Sequence, residues 1–387
     1  MVPMFTESAL TLEFLRRDGL SLETPFEWGV MTALQERRGA ILRLLFTQAR
    51  RRRRGLLTLP LGQGDVAAAG HRVDYIQDML THDRDAERWA GIDHRHRVAD
   101  VTVPVSSIAG WYDIFLPSQL EDFKILQEAG RPVRLTVGPW THLSADGTPI
   151  KEAIEFGLAH ARGEQPPERP PVRLYVTGEK AWRNFDHWPP AGYAPQRFHL
   201  QPGGALSTEV PGDSAPDRYR YDPADPTPAV GGVRMVRGGA GRADNTKLEA
   251  RPDVLTYTTE VLEQDVEVIG EVAAEIWFRS SLPYADVFVR LCDVDPRGRS
   301  HNVCDGLVSL TGADELTRAE VALWATAHRF KRGHRIRVQV SSGAFPRFAR
   351  NTGTGEPHLT ATTLRAADQE TYHDPAHPSA IILPVRE

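Results

Sequence analysis

Two short stretches of this 387-residue chain carry side chains suited to proton transfer. Gly110-Trp111-Tyr112-Asp113 closes one run of β-branched and apolar residues, and Gly138-Pro139-Trp140-Thr141-His142 closes another. In an open parallel sheet, ligands and catalytic groups collect at the carboxyl ends of the strands. An aspartate and a histidine delivered there by neighbouring strands can meet through a hydrogen bond. The carboxylate then fixes the imidazole tautomer and stabilises the imidazolium formed when the ring takes up a proton. Taken singly, such an aspartate caps a turn and such a histidine packs. The pairing, 29 positions apart at two strand ends, is what points to an acid and a base.

The elements that must position the pair are readable. Val101 to Gly110 is largely β-branched and apolar, as a buried parallel strand should be. Leu116 to Glu128 reads as a helix with Leu120, Phe123, Ile125 and Leu126 inward, and Pro132 to Gly138 as a second strand. Strand, helix and strand in succession make a right-handed βαβ unit over about 99–165. Before it, residues 1–98 are helical in period. Phe14, Leu15, Trp28, Met31, Leu34, Ile41, Leu42, Leu44, Leu45 and Phe46 are the apolar members, with a helix start at Ser21 to Pro25. A second helical stretch, 71–90, holds Tyr75, Ile76, Met79, Leu80 and Trp89. From 166 onward, strand-like segments at 172–177, 197–200, 266–278, 286–294, 303–310, 319–323 and 334–342 predict a jelly-roll β-sandwich. The Gly, Pro and Asp-rich stretch 202–250 reads as a long surface excursion. The fold class is therefore α/β plus β.

Composition removes several function classes. Lys and Arg number 46 against 51 Asp and Glu, a formal charge of −5, too balanced to mark a nucleic-acid partner. The run Arg50 to Arg54 reads as a solvated helix end. No apolar run is long enough to span a bilayer, and no leader is visible, so no membrane partner is expected. Two cysteines exclude a disulfide scaffold and suit a reducing, cytoplasmic setting. Cys292 and Cys304 flank the turn Asp295 to Arg299, so a hairpin there would let the thiols face each other; reduced, buried thiols are the preferred reading. Metal and cofactor are not expected: no Cys-x-x-Cys or Cys/His cluster occurs, Asp93-His94-Arg95-His96 reads as a polar loop, and Gly62-Gln63-Gly64-Asp65 lacks the rest of a phosphate loop.

The chain resembles the later two thirds of hydrolases in the cocaine-esterase-like and Xaa-Pro dipeptidyl-peptidase family. The resemblance rests on the two stretches around Asp113 and His142, on Leu174-Tyr175-Val176-Thr177-Gly178 through Trp182, and on Asp286 to Leu291. It extends through Ser341 to Asn351 and His373-Asp374-Pro375. It implies a helical cap at 1–98, the C-terminal part of an α/β-hydrolase domain at 99–165 and a jelly roll at 166–387. It further implies that Asp113 is the triad acid and His142 the base, in the order α/β-hydrolases use. Phe115 resembles an aromatic lining the acyl pocket, and Trp140, beside His142, is either a second wall of that pocket or a core residue. The implied reaction is hydrolysis of a small-molecule ester, or of an amide or Xaa-Pro peptide.

One departure qualifies that reading. No Gly-x-Ser-x-Gly elbow occurs anywhere in the sequence. Ser106 and Ser107 fall inside a predicted strand, Ser144 follows the histidine, and Ser341 and Ser342 belong to the sandwich. Two parallel strands alone would also leave an open, apolar edge. The expectation is a chain that lacks its nucleophile and is inactive alone, with Val2 to Ser8 leading into the cap and a missing N-terminal hydrolase segment as its partner. The alternative is a non-catalytic binding subunit that uses jelly roll and cap. The substrate and any homo-oligomer are left open.

Overall fold

The computed structural model describes residues 1–9, 19–35, 50–82, 87–236 and 238–387. The first hundred residues pack around a small core of their own. Helices α1 (Glu23–Gln35), α2 (Gly64–Ala69) and α3 (Asp74–Thr81) bury Leu22, Phe26, Ile76 and Met79 together. A further helical stretch over 50–57 crosses α2 where a Cβ on Gly64 would stand 2.7 Å from the Gly55 carbonyl, so the approach depends on glycine. Asp65 is buried and accepts hydrogen bonds from the Val73 N–H and Gln77 Nε2, both at 2.8 Å, tying α2 to α3. The 62–65 motif is thus structural. The arginine run is only partly solvated. Arg52 pairs with Glu27 at 2.8 Å and Arg51 donates to the Ala68 carbonyl, while Arg50, Arg53 and Arg54 are exposed. The helix expected over 71–90 stops at Thr81, and Trp89 lies in a 3-10 turn, Glu87–Ile92. Phe14, Leu15, Ile41, Leu42, Leu44, Leu45 and Phe46 lie outside the described residues.

The middle of the chain forms a small sheet of three parallel strands, β1 (Val105–Tyr112), β2 (Val133–Thr141) and β3 (Val172–Val176), with β4 (Ala181–Phe185) antiparallel to β3. All eight residues of β1 are buried, as a strand covered on both faces requires. Helix α4 (Leu116–Glu128) makes the crossover, and α5 (Thr148–Ala161) links β2 to β3. Two expectations change here. The strand 172–176, assigned from sequence to the sandwich, pairs with β2 from Leu135↔Val172 to Val137↔Leu174. Its alternating Arg173 and Tyr175 imitate a sandwich strand because β4 beside it is an antiparallel partner. Residues 1–5, expected to lead straight into the cap, first run along the edge of β1. The Ile108 N–H donates to the Pro3 carbonyl and the Phe5 N–H to the Ile108 carbonyl, each at 3.0 Å. The segment is too short to show a period in sequence.

The remaining strands form a β-sandwich in one continuous hydrogen-bonded network. In Ala273–Ser280, Ala274, Ile276 and Phe278 point inward while Glu275, Trp277 and Arg279 do not, the alternation of a half-buried strand. The core is shared: Leu135, Val137 and Leu174 of the small sheet belong to the same apolar cluster as Ile276, Val289 and Val338. Thr177, just past β3, receives the Arg329 N–H and donates its own N–H to the Ala327 carbonyl, both at 2.9 Å, so backbone hydrogen bonds join the two parts. The hairpin Tyr284–Val294 and Ser300–Thr311 forms, but a register shift after Leu291 sets Cys304 opposite Leu291 and Cys292 opposite Asn302. The two thiols are buried and free, and do not face each other. The stretch 202–250 is more than a surface excursion. It contributes strands Ala205–Ser207 and Asp217–Tyr221, and its Arg234 donates two hydrogen bonds of 2.6 Å to buried Glu23 of α1. Among the described residues no helix is long and apolar enough to cross a membrane.

The segment from Ser341 to Asn351 consolidates the sandwich. Arg347 and Arg290 both pair with buried Asp305, and Asn351 Nδ2 donates to Asp286 Oδ1 at 2.9 Å. Burial pushes the Asp286 carboxyl up to about 6, against the hydrogen bonds from Asn351 and Ser309 that favour its charged form. A carboxyl raised in the folded state contributes stability below its unfolded value, and that contribution is lost as pH climbs through 6. Asp286→Asn should therefore melt higher than the parent at pH 7.5 by the equivalent of about 3 kcal/mol, with most of the difference gone near pH 4. Melting curves at both pH values check it.

Candidate active site

The site is made by the tips of β1 and β2. Their register runs evenly from Val105↔Val133 to Gly110↔Gly138, then shifts by one so that Tyr112 stands opposite Thr141. Such a bulge re-aims the side chains beyond it. Glycine is needed on both strands there. A Cβ on Gly110 would lie 2.4 Å from the Trp140 carbonyl oxygen, and one on Gly138 would lie 2.5 Å from the Trp140 ring. One residue past the Tyr112↔Thr141 pair, the strands deliver Asp113 and His142 side by side.

Asp113 is fully buried, so its carboxylate needs protein donors. Oδ1 accepts the Phe115 N–H at 2.9 Å, and Oδ2 accepts from His142 Nδ1 at 2.8 Å. Because a carboxylate only accepts, the imidazole proton sits on Nδ1 and Nε2 is left with a free lone pair. The His142 side chain is 23% exposed. The Phe115 ring meets the imidazole edge-on, with centroids 5.3 Å apart at 85°. The imidazole is therefore held in one tautomer and one orientation, with its basic nitrogen available.

Of the two readings of Trp140, wall or core, the structure favours core. It is 3% exposed and packs between Phe5, centroids 6.1 Å apart, and Trp182, 5.7 Å apart. With its ring enclosed on both sides, it takes the core role and braces the strand tips. Ser107 Oγ accepts from Gln119, and Ser106 Oγ donates to Glu152. Ser342 hydrogen-bonds Tyr219 inside the sandwich, and Ser144 closes the turn after the histidine. Among the described residues no hydroxyl or thiol is hydrogen-bonded to His142 Nε2. A second chain of polar groups was not legible in the sequence: Thr177 Oγ1 bonds His328 Nδ1 at 2.8 Å, and Asp293 accepts from both His328 and His334. Its members come from three separate segments, and no local spacing announces them.

Two family models cover most of the chain. The X-Pro dipeptidyl-peptidase (S15 family) model matches residues 1–144, and the X-Pro dipeptidyl-peptidase C-terminal non-catalytic domain matches 167–382. The chain belongs to the cocaine-esterase-like, X-Pro dipeptidyl-peptidase family. Cocaine esterase of Rhodococcus sp. (strain MB1 Bresler), a relative within it, is 35% identical in an alignment of 351 positions that covers 80% of this chain and 61% of that protein. A relative from Mycobacterium bovis is 26% identical and is matched over 50% of its length. The chain thus spans between half and about three fifths of these curated relatives. The fold is that of an aminopeptidase from a marine sediment Thaumarchaeota archaeon, with a TM-score of 0.78 at 21% identity over all of this chain and 72% of that one. It is likewise similar to an alpha-amino acid ester hydrolase, with a TM-score of 0.73 at 24% identity over 84% and 63% of the two chains.

The hydrogen bond between His142 and Asp113 has a direct spectroscopic consequence. A proton held between an imidazole nitrogen and a buried carboxylate exchanges slowly and resonates far downfield. The parent chain should show one such resonance more than Asp113→Asn, beside those from Asp293 with His328 and His334 and from Asp217 with His373. A downfield spectrum unchanged in that variant would show that the pair is not formed in solution.

Proposed function

We propose that this chain supplies the acid and the base of an ester- or amide-cleaving serine triad, and that the nucleophilic serine comes from a polypeptide segment outside this sequence. The observation that carries the reading is the 2.8 Å hydrogen bond that fixes His142 on buried Asp113 with Nε2 free. Family membership supports the reaction class, and the missing Gly-x-Ser-x-Gly supports a nucleophile from elsewhere. Helix α5 adds a physical reason. Ile150, Ile154 and Leu158, at four-residue spacing, are 60%, 55% and 46% exposed, an apolar stripe of the kind a helix normally buries against a neighbour. A nucleophile-bearing segment completing the sheet would cover it.

In the completed site the serine Oγ attacks the substrate carbonyl carbon and its proton passes to His142 Nε2. Asp113 stabilises the imidazolium that results. The imidazolium then protonates the departing alcohol or amine as the acyl-enzyme forms. Next, His142 takes a proton from water, the hydroxide attacks the acyl carbon, and the serine leaves with that proton. Phe115, edge-on to the base, would give the acyl group an apolar wall. Without nucleophile and oxyanion donors the pair has nothing to activate, because triad members act as a unit. The chain by itself is then inactive, and its substrate is a small ester, or an amide or Xaa-Pro peptide.

A fluorophosphonate probe tests this on the chain alone and on the chain co-produced with the segment encoded immediately upstream. The chain alone should not label. The pair should label on a serine of the added segment and cleave 4-nitrophenyl esters or an Xaa-Pro-nitroanilide, and His142→Ala should lower kcat about 10³-fold or more. Labelling of the isolated chain, or a completed enzyme indifferent to His142→Ala, would overturn the proposal.

A further inference from the structure

A cavity of about 560 Å³ lies where the turn between β3 and β4 meets two turns of the sandwich, within the size range of small-molecule sites. Lys180, Arg242, Arg297 and Lys331 line it, together with Tyr112 and Tyr175. All four cations are exposed, and none of their side chains makes an ion pair or hydrogen bond among the described residues. The carboxylates of the wall, by contrast, are already engaged. Asp293 accepts from His334 Nδ1 at 2.7 Å and from His328 Nε2 at 3.2 Å. Asp295 accepts from Arg299 Nε at 2.9 Å and from the backbone N–H groups of Arg297 and Arg299 at 2.9 and 3.1 Å.

In a chain of formal charge −5, four unpaired cations around one concavity make a local positive field that concentrates anions. They reach it from four separate segments: the β3–β4 turn, the loop after Gly241, the hairpin turn at 295–299 and the turn before Arg335–Ser341. Lys180 adds a second sign. It sits at φ 63°, a left-handed conformation that a long side chain seldom adopts, and its N–H closes onto the Val176 carbonyl at 2.9 Å. Backbone outliers of this kind gather at ligand sites. Half-buried Tyr175, with the edge of the largely buried Tyr112 beside it, supplies aromatic surface next to the charge, which inorganic ions do not need.

We propose that this cavity binds a small organic anion, its carboxylate or phosphoryl group among Lys180, Arg242, Arg297 and Lys331 and its apolar body against Tyr112 and Tyr175. Asp113 and His142 do not line the cavity, so the site stands independently of the hydrolase reading.

Calorimetric titration of the whole chain at low salt tests it, with phenylacetate, phenyl phosphate, inorganic phosphate and neutral 2-phenylethanol as probes. At least one aromatic anion should bind, 2-phenylethanol should not, and raising the salt about tenfold should weaken binding severalfold. The double variant Arg297→Glu, Lys331→Glu changes two exposed side chains and should lower affinity at least tenfold. Lys180→Asn, a residue at ease in the left-handed region, should lower it severalfold and serves as the deciding variant if the double variant melts early. The tighter of phenylacetate and phenyl phosphate identifies the anionic group. No heat from either aromatic anion, unchanged affinity in the variants, or inorganic phosphate binding as tightly as phenyl phosphate would each overturn the proposal.

Discussion

A carboxylate shut away from water must be satisfied by protein donors, and at Asp113 that constraint organises the tips of β1 and β2. One oxygen takes the Phe115 N–H at the entry to α4, and the other takes the imidazole of His142. The first bond fixes the turn out of β1; the second fixes the ring. The second depends on how β1 and β2 end, because Asp113 and His142 meet just beyond the one-residue shift that follows Gly110 and Gly138. Removing either glycine's freedom would push on Trp140, whose ring and carbonyl fill the space a Cβ would need. The site thus depends on backbone geometry as much as on the two side chains that carry protons.

The rest of the molecule holds that geometry in place from two sides. On one side, residues 1–5 hydrogen-bond along β1 and bring Phe5 against Trp140. On the other, Thr177 and Arg329 join β3 to the sandwich, and the apolar core continues across the join. Buried ion pairs recur at the joints. Arg234 meets Glu23 between sandwich and cap, and Asp305 sits between Arg290 and Arg347 inside the sandwich. Pairs of this kind contribute little net stability compared with apolar packing, but losing one partner strands a buried charge, so they fix a single arrangement.

Much of this was legible in the sequence because the signals were local. The β-branched run before Asp113, the crossover helix and the strand before His142 each follow a clear period, and the Asp–His pairing follows from strand ends. Fold class and family were readable for the same reason. What sequence missed was set by tertiary partners. Val172–Val176 alternates like a sandwich strand yet pairs with β2, and residues 1–5 are too few to carry a pattern. Nearness to His142 left Trp140 open between pocket wall and core, and the enclosure of its ring by Phe5 and Trp182 decides for core. The cysteines looked cross-strand because symmetry about a turn ignores a bulge. The basic cavity gathers residues scattered from 180 to 331, and a balanced overall charge conceals it.

The loop closed by Gly232 and Gly241 touches both ends of the machinery. Near its tip Arg234 grips Glu23 of the cap, and at its base Gly241 lies against Thr141, the residue before His142. Cap and imidazole therefore share a mechanical linkage made of a few residues. The helical layer and the strand tip that carries the imidazole are held at a fixed spacing by one short loop, with Glu23 anchoring it at one end and Thr141 at the other.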